Sequence, residues 1–251
     1  MLARRHRLVF VAIIVVLSLG FLAAIGGVVA PLLRSPLSII RPDAAAPRWG
    51  APAAAPLTVK SPRGGGITGL IAASWLESTA ARTGIPQRAL AAYAGAAVRI
   101  ADEEPGCALG WNTLAAIGYV ESKHGSYRGS VIGKGGKIKP GIYGVALDGG
   151  STAHIPDSDN GTYDRDATYD RAVGPMQMIP QSWRNWRADG NGDGRRDPQN
   201  IDDAVLAAAG YLCRAREDLS TEDGWRDMIA TYNSAPSYLA KVALQATIYG
   251  S

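Results

Sequence analysis

The sequence predicts a mainly α-helical domain preceded by a transmembrane helix and a Pro/Ala linker. Three observations predict this. Apolar residues between 67 and 251 recur at helical spacing, and Pro and Gly punctuate those runs where helices start and stop. The stretch 126–173 has no sustained helical period and reads as a long irregular insertion with short strands. Residues 8–33 form an uncharged apolar run behind Arg4, Arg5 and Arg7. The segments are therefore 1–33, a basic end and signal-anchor; 34–66, a linker; and 67–251, the folded domain.

The apolar run is long enough to span a bilayer with some tilt, and its basic flank predicts the rest of the chain outside the cytoplasm. The competing reading is a cleaved signal peptide and a secreted product. Such a segment has a shorter apolar core ahead of a small-residue cleavage site, and Pro31 disfavours cleavage after Ala30. In 34–66, repeated Ala and Pro with few large apolar groups predict a semi-extended tether.

The chain has 251 residues, 47% of them hydrophobic, and carries a net charge of +4. That charge is uneven: residues 1–66 hold eight Lys and Arg against Asp43 alone. The remainder is mildly acidic, which excludes the basic footprint of a nucleic-acid binder.

Within the domain, Leu70, Ile71, Trp75, Leu76 and Ala80 predict a first amphipathic helix. Pro86 opens a second, with Leu90, Tyr93, Ala94 and Val98 on its inner face. The third starts near Trp111. Leu114, Ile117, Gly118 and Glu121 share one face, and Gly125 stops it, with Lys123 and His124 at the negative end of its dipole. Pro180 starts a short helix. Further helices run from Asp203 to Arg216, Trp225 to Tyr232 and Tyr238 to Tyr249.

Glu121 is the first candidate for chemistry. A carboxyl on the last turn of an apolar helix is desolvated, its pKa rises, and it becomes a general acid near neutral pH. The alternative is an ordinary surface Glu. Gln177, set between Met176 and Met178 after the Gly174-Pro175 turn, offers an amide to a sugar acetamide or hydroxyl; the alternative is a loop amide bound to backbone. Tyr232-Asn233 ends a helix at a turn, where both side chains face a cleft. Asp157-x-Asp159-x-Gly161 and Asp164-x-Asp166 read as a solvated turn ahead of a cation site. Asp189, Asn191 and Asp193 alternate as in the first half of a calcium loop, with Gly194 at the sharp turn, although Asn200 replaces the closing Glu. The alternative there is an Asp/Gly turn without an ion. Cys107 and Cys213 form either one disulfide closing a long loop or two buried thiols. The topology, which places both outside, favours the bridge.

Zinc spacing and phosphate-binding Gly loops are absent from the sequence. Ser122 and His124 lie two apart on one helix and face different directions, which rules out a nucleophilic dyad.

Taken in order, several pieces resemble one family. They are Gly110-Trp111, the run Ala116 to Ser122 with His124-Gly125, the run Asp170 to Trp183, the Asp/Gly loop at 189–197, Ala207 to Cys213, and Tyr232-Asn233. The set resembles the lytic murein transglycosylases of the membrane-bound B type, in particular their actinobacterial members. The resemblance implies a lysozyme-like fold around a glycan groove and cleavage of the β-1,4 bond between N-acetylmuramic acid and N-acetylglucosamine in peptidoglycan. It implies Glu121 as catalytic acid/base, and Ser122, Gln177, Tyr232 and Asn233 as substrate contacts. It also implies a structural calcium ion held by Asp189, Asn191, Asp193, the Arg195 carbonyl and Asp203, with no cofactor for the chemistry. The expected product is a 1,6-anhydromuramic end. Expected partners are peptidoglycan glycan strands, the membrane through the N-terminal helix, and cell-wall assembly proteins. Two other activities remain open on the sequence: a lysozyme-type hydrolase on the same fold, and a non-catalytic glycan-binding protein of the wall.

Overall fold

The structure is a computed structural model in which residues 47–59, 66–214 and 218–251 are described. The apolar run 8–33 and much of the linker lie outside the described residues. Among the described residues no helix is long and apolar enough to cross a membrane.

The described part is mainly helical. Its helices are α1 (Ala73–Thr83), α2 (Gln87–Glu103), α3 (Trp111–Ser122), α4 (Pro180–Trp186), α5 (Ile201–Cys213), α6 (Glu222–Tyr232) and α7 (Pro236–Gly250). Between α3 and α4 the chain forms two small antiparallel ribbons. In one, β1 (Val131–Ile132) pairs with β2 (Ile138–Lys139); in the other, β3 (Tyr143–Ala146) pairs with β4 (Arg171–Val173).

The first predicted helix starts later than expected. Leu70 closes a 3₁₀ turn, Ile67–Leu70, and Ile71 is extended. The cause is the preceding segment: Thr58 bridges Ile71, and Ala72 N–H donates to the Leu57 carbonyl. Backbone pairing there outweighs helical propensity. Side-chain caps set two other starts. Asn200 Oδ1 accepts from Asp202 N–H and begins α5 two residues before Asp203, and Thr221 caps α6 through Gly224 N–H.

The core is built on small residues. Nearly every position of α2 from Ala89 to Ala97 is buried, so the helix is enclosed and not merely amphipathic. Its Ala side chains let α5, itself Ala-rich, lie close alongside, while Gly95 admits the Ile67 backbone. The ion pair of Arg88 with the buried Asp202, at 2.7 and 2.6 Å, locks these two helices.

α3 packs along α7 and is crossed by α2. A Cβ at Gly118 would stand 2.1 Å from the Tyr93 hydroxyl, so glycine is what admits that ring. Tyr93 and Tyr249 then hold the buried His124 from both sides, at 3.2 and 2.9 Å. Burial, with Lys123 adding repulsion, pulls the His124 pKa down to about 4. It is thus a neutral bridge and not the charged helix cap expected. α3 ends with Lys123, His124 and Gly125 all at positive φ.

Part of the predicted tether is docked on the domain. Within the described stretch 47–59, Ala53 N–H donates to Asn112 Oδ1, and the Ala51 and Ala54 carbonyls accept from Asn112 Nδ2 and Trp111 Nε1. Asn112 Nδ2 also reaches the Ala246 carbonyl of α7. These contacts tie the C-terminal part of the semi-extended tether to the domain. The contacts run through backbone groups, which Ala/Pro composition does not register. Asn112→Ala would leave these groups without their partner and is expected to destabilise the fold by about 2–4 kcal/mol, measured by urea denaturation.

Candidate active site

Glu121 sits on the last turn of α3, half-buried. Its Oε1 accepts a hydrogen bond of 2.7 Å from the Tyr238 hydroxyl near the start of α7. Among the described residues it makes no ion pair. Burial pushes its pKa up to about 7, against the lowering effect of the Tyr238 bond. The group therefore holds and releases a proton in the neutral range.

Three neighbours define its surroundings. Tyr238 lies parallel to Tyr232, with ring centroids 6.5 Å apart. Burial and the nearby Glu121 charge keep both phenols protonated. The buried Tyr232 donates to the Met176 carbonyl at 2.6 Å. Asn233, also buried, accepts from Ala235 N–H through Oδ1, which leaves its Nδ2 without a protein acceptor. A cleft of about 380 Å³ between α3 and α7 is lined by Val120, Lys123, Asn233 and Tyr238, among others.

The loop after β4 is fastened to this centre. Ser122 Oγ donates to the Pro175 carbonyl at 2.7 Å and accepts from Gly125 N–H at 2.8 Å. Ser122 is 1% exposed and clamps α3 to the loop. Tyr232 likewise acts from behind, through Met176. Gln177 stands at φ +46°, half-buried, and its Nε2 donates to the Gly174 carbonyl at 2.9 Å. The amide nitrogen is thus held by backbone, as in the alternative reading, and Oε1 faces Gly144.

Tyr238 was missing from the sequence-based set. Its bond to Glu121 spans 117 residues of chain. The available signal was its position just inside a Pro-opened helix, next to the Tyr-Asn turn.

Asp203 is buried and accepts from Gly190, Asn191 and Asp197 N–H groups. Asp189 accepts from Gly192, Asp193 and Gly194, while Asp193 accepts from Arg195 N–H and from Asn191 Nδ2. The carboxylates of Asp189, Asp193 and Asp203 are not gathered within 4.8 Å of one another, and each accepts from the loop's own N–H groups. The carboxylates that do converge are Asp157, Asp159 and Asp164, with oxygens within 4.8 Å of one another. Asp164 is buried there, which departs from the solvated turn expected. Cys107 and Cys213 are joined in a disulfide.

Residues 158–229 match the transglycosylase SLT domain. No curated protein matches the chain. The match supports a transglycosylase-type enzyme of the SLT superfamily acting on peptidoglycan, and the mainly helical architecture fits a lysozyme-like SLT domain. The SLT match covers the Gln177 loop, the 189–203 loop and α5. Glu121 lies before it, and Tyr232, Asn233 and Tyr238 lie after it, so their roles rest on the geometry above.

The site makes a sharp pH prediction. If Glu121 is the acid, activity falls as pH rises through about 7, because the proton-donating form is lost. Tyr238→Phe removes the bond that favours the carboxylate. It is expected to move that limb to higher pH and to lower kcat, read from pH–rate profiles of both proteins.

Proposed function

We propose that the chain is a lytic transglycosylase that cleaves the β-1,4 bond between N-acetylmuramic acid and N-acetylglucosamine, with Glu121 as its single acid and base. The observation that carries this reading is a half-buried carboxyl, without an ion-pair partner among the described residues, titrating near neutrality and held by Tyr238, a residue that lines the α3–α7 cleft.

Protonated Glu121 gives its proton to the glycosidic oxygen as the bond to the muramic C1 breaks. The substrate's own 2-acetamido oxygen stabilises the positive charge left on C1, which removes the need for a second carboxylate. The Tyr238 hydroxyl steadies the carboxylate formed. That carboxylate then takes the proton of the C6 hydroxyl, and the C6 oxygen attacks C1 and closes the 1,6-anhydro ring. Glu121 ends protonated and no water is consumed.

The enzyme works outside the cytoplasm, tethered in the cell membrane by residues 8–33, with peptidoglycan strands as its partner. The Cys107–Cys213 bridge supports this placement, since such bonds persist in oxidising compartments. The test is incubation of the full chain in detergent with purified peptidoglycan. Release of soluble muramic-acid-containing fragments is expected. Sedimentation with the wall material and no release would overturn catalysis in favour of a glycan-binding protein.

A further inference from the structure

The α3–α7 cleft, which meets Glu121 through Tyr238, has a chemical character that proton transfer does not use. Lys123, from the left-handed end of α3, and Lys241, from α7, both line it, and both are exposed. Neither makes an ion pair among the described residues, and no carboxylate lines the cleft. Two unneutralised ammonium groups in one concavity stand out on a domain whose remainder is mildly acidic. The Lys123 ammonium lies 3.7 Å from the centre of the Tyr119 ring, which fixes its position over one wall. The buried Asn233 contributes the spare Nδ2 donor, its orientation set by the Ala235 N–H bond to Oδ1. Ser237 and Gln245 add polar groups to the lining. The cleft thus offers cations and a neutral donor, and lacks anionic groups that would repel an acid.

We infer that this cleft is a specificity subsite for a carboxylate on the muramic side of the substrate, held by Lys123 and Lys241 over Asn233. This rests on the function proposed above. Muramic acid differs from glucosamine by a lactyl ether on C3. That lactyl carboxyl is free on a peptide-stripped strand and is amide-linked on a peptide-bearing one, where the stem peptide supplies carboxylates. The shared ligand chemistry is a carboxylate close to the scissile bond. Contact with it selects muramyl glycans over a plain N-acetylglucosamine polymer, and screening by salt weakens it.

The test measures binding by fluorescence anisotropy on the full chain in detergent, with three labelled probes. These are peptide-bearing glycan fragments, the same fragments after the peptides are cut off, and an N-acetylglucosamine oligomer of equal length. Lys123→Ala with Lys241→Ala is expected to weaken binding by about five- to tenfold on a carboxylate-bearing probe and not on the plain oligomer. Arg at both positions is expected to retain binding. Loss confined to the stripped fragments assigns the lactyl carboxylate, and loss confined to the peptide-bearing ones assigns the stem peptide. Unchanged affinity for both muramyl probes overturns the subsite. Binding is read in a Glu121→Gln background, which does not turn the probes over, so a protein that binds in this pattern while its Glu121 parent cleaves nothing leaves the subsite standing and removes the enzymatic reading.

Discussion

Glu121→Gln is expected to lower turnover on peptidoglycan by about 10²–10⁴-fold, the usual range for removing a general acid/base. The Gln carbonyl can still accept from Tyr238, so the site keeps its shape while losing its proton. The same substitution has a second, opposite signature. The folded-state pKa of Glu121 is about 7 and its ordinary value is 4.5, so the native protein binds this proton more tightly than the unfolded chain. Protonation therefore favours the fold. The contribution is complete below about 4.5 and is lost as pH rises through about 7. Above that, an ionised, half-buried carboxylate costs on the order of 3 kcal/mol. The inactive variant is accordingly expected to be more stable than the parent at pH 8 and equal to it at pH 4, measured by denaturation at both. Equal stability at both values would place Glu121 in water and remove the physical basis for its acidity.

Loss of the disulfide is expected to have the largest effect on the fold. Cys107, in the turn before α3, and Cys213, at the end of α5, are 106 residues apart in sequence. In the chain-entropy account, closing a loop of that length restricts the unfolded chain by about 4–5 kcal/mol, an upper figure. Cys107→Ser with Cys213→Ser is expected to cost about 2–5 kcal/mol and to lower Tm by roughly 10 °C. Reductant should reproduce the shift in the parent and leave the double variant unchanged. A parent indifferent to reductant would mean that the two thiols are not joined.

The helices were largely legible because their signals are local. α4 begins at Pro180 as predicted, and α7 begins at Pro236, two residues ahead of the expected Tyr238. Glu121 could be singled out because one carboxylate ends an apolar helical face. What escaped notice depends on distant parts of the chain. Tyr238 reaches Glu121 across an interhelical gap. The 47–59 strap is fixed by an Asn and a Trp on α3, and its own Ala and Pro carry no period. Ser122 follows Glu121 in sequence, but the helix turns its side chain away from that of Glu121 and into the Pro175 loop. The calcium motif is ambiguous in another way. Alternating Asp and Asn also build turns in which carboxylates accept from backbone N–H groups, and the pattern alone does not separate the two uses.

The most direct test of the central claim is mass spectrometry of peptidoglycan digested in heavy-oxygen water. If Glu121 takes the C6 proton and the sugar closes on itself, the new muramic ends are lighter than reducing ends by one water and carry no heavy oxygen. Reducing muramic ends that have gained the label would contradict the account, because water would then be the acceptor and the enzyme a hydrolase.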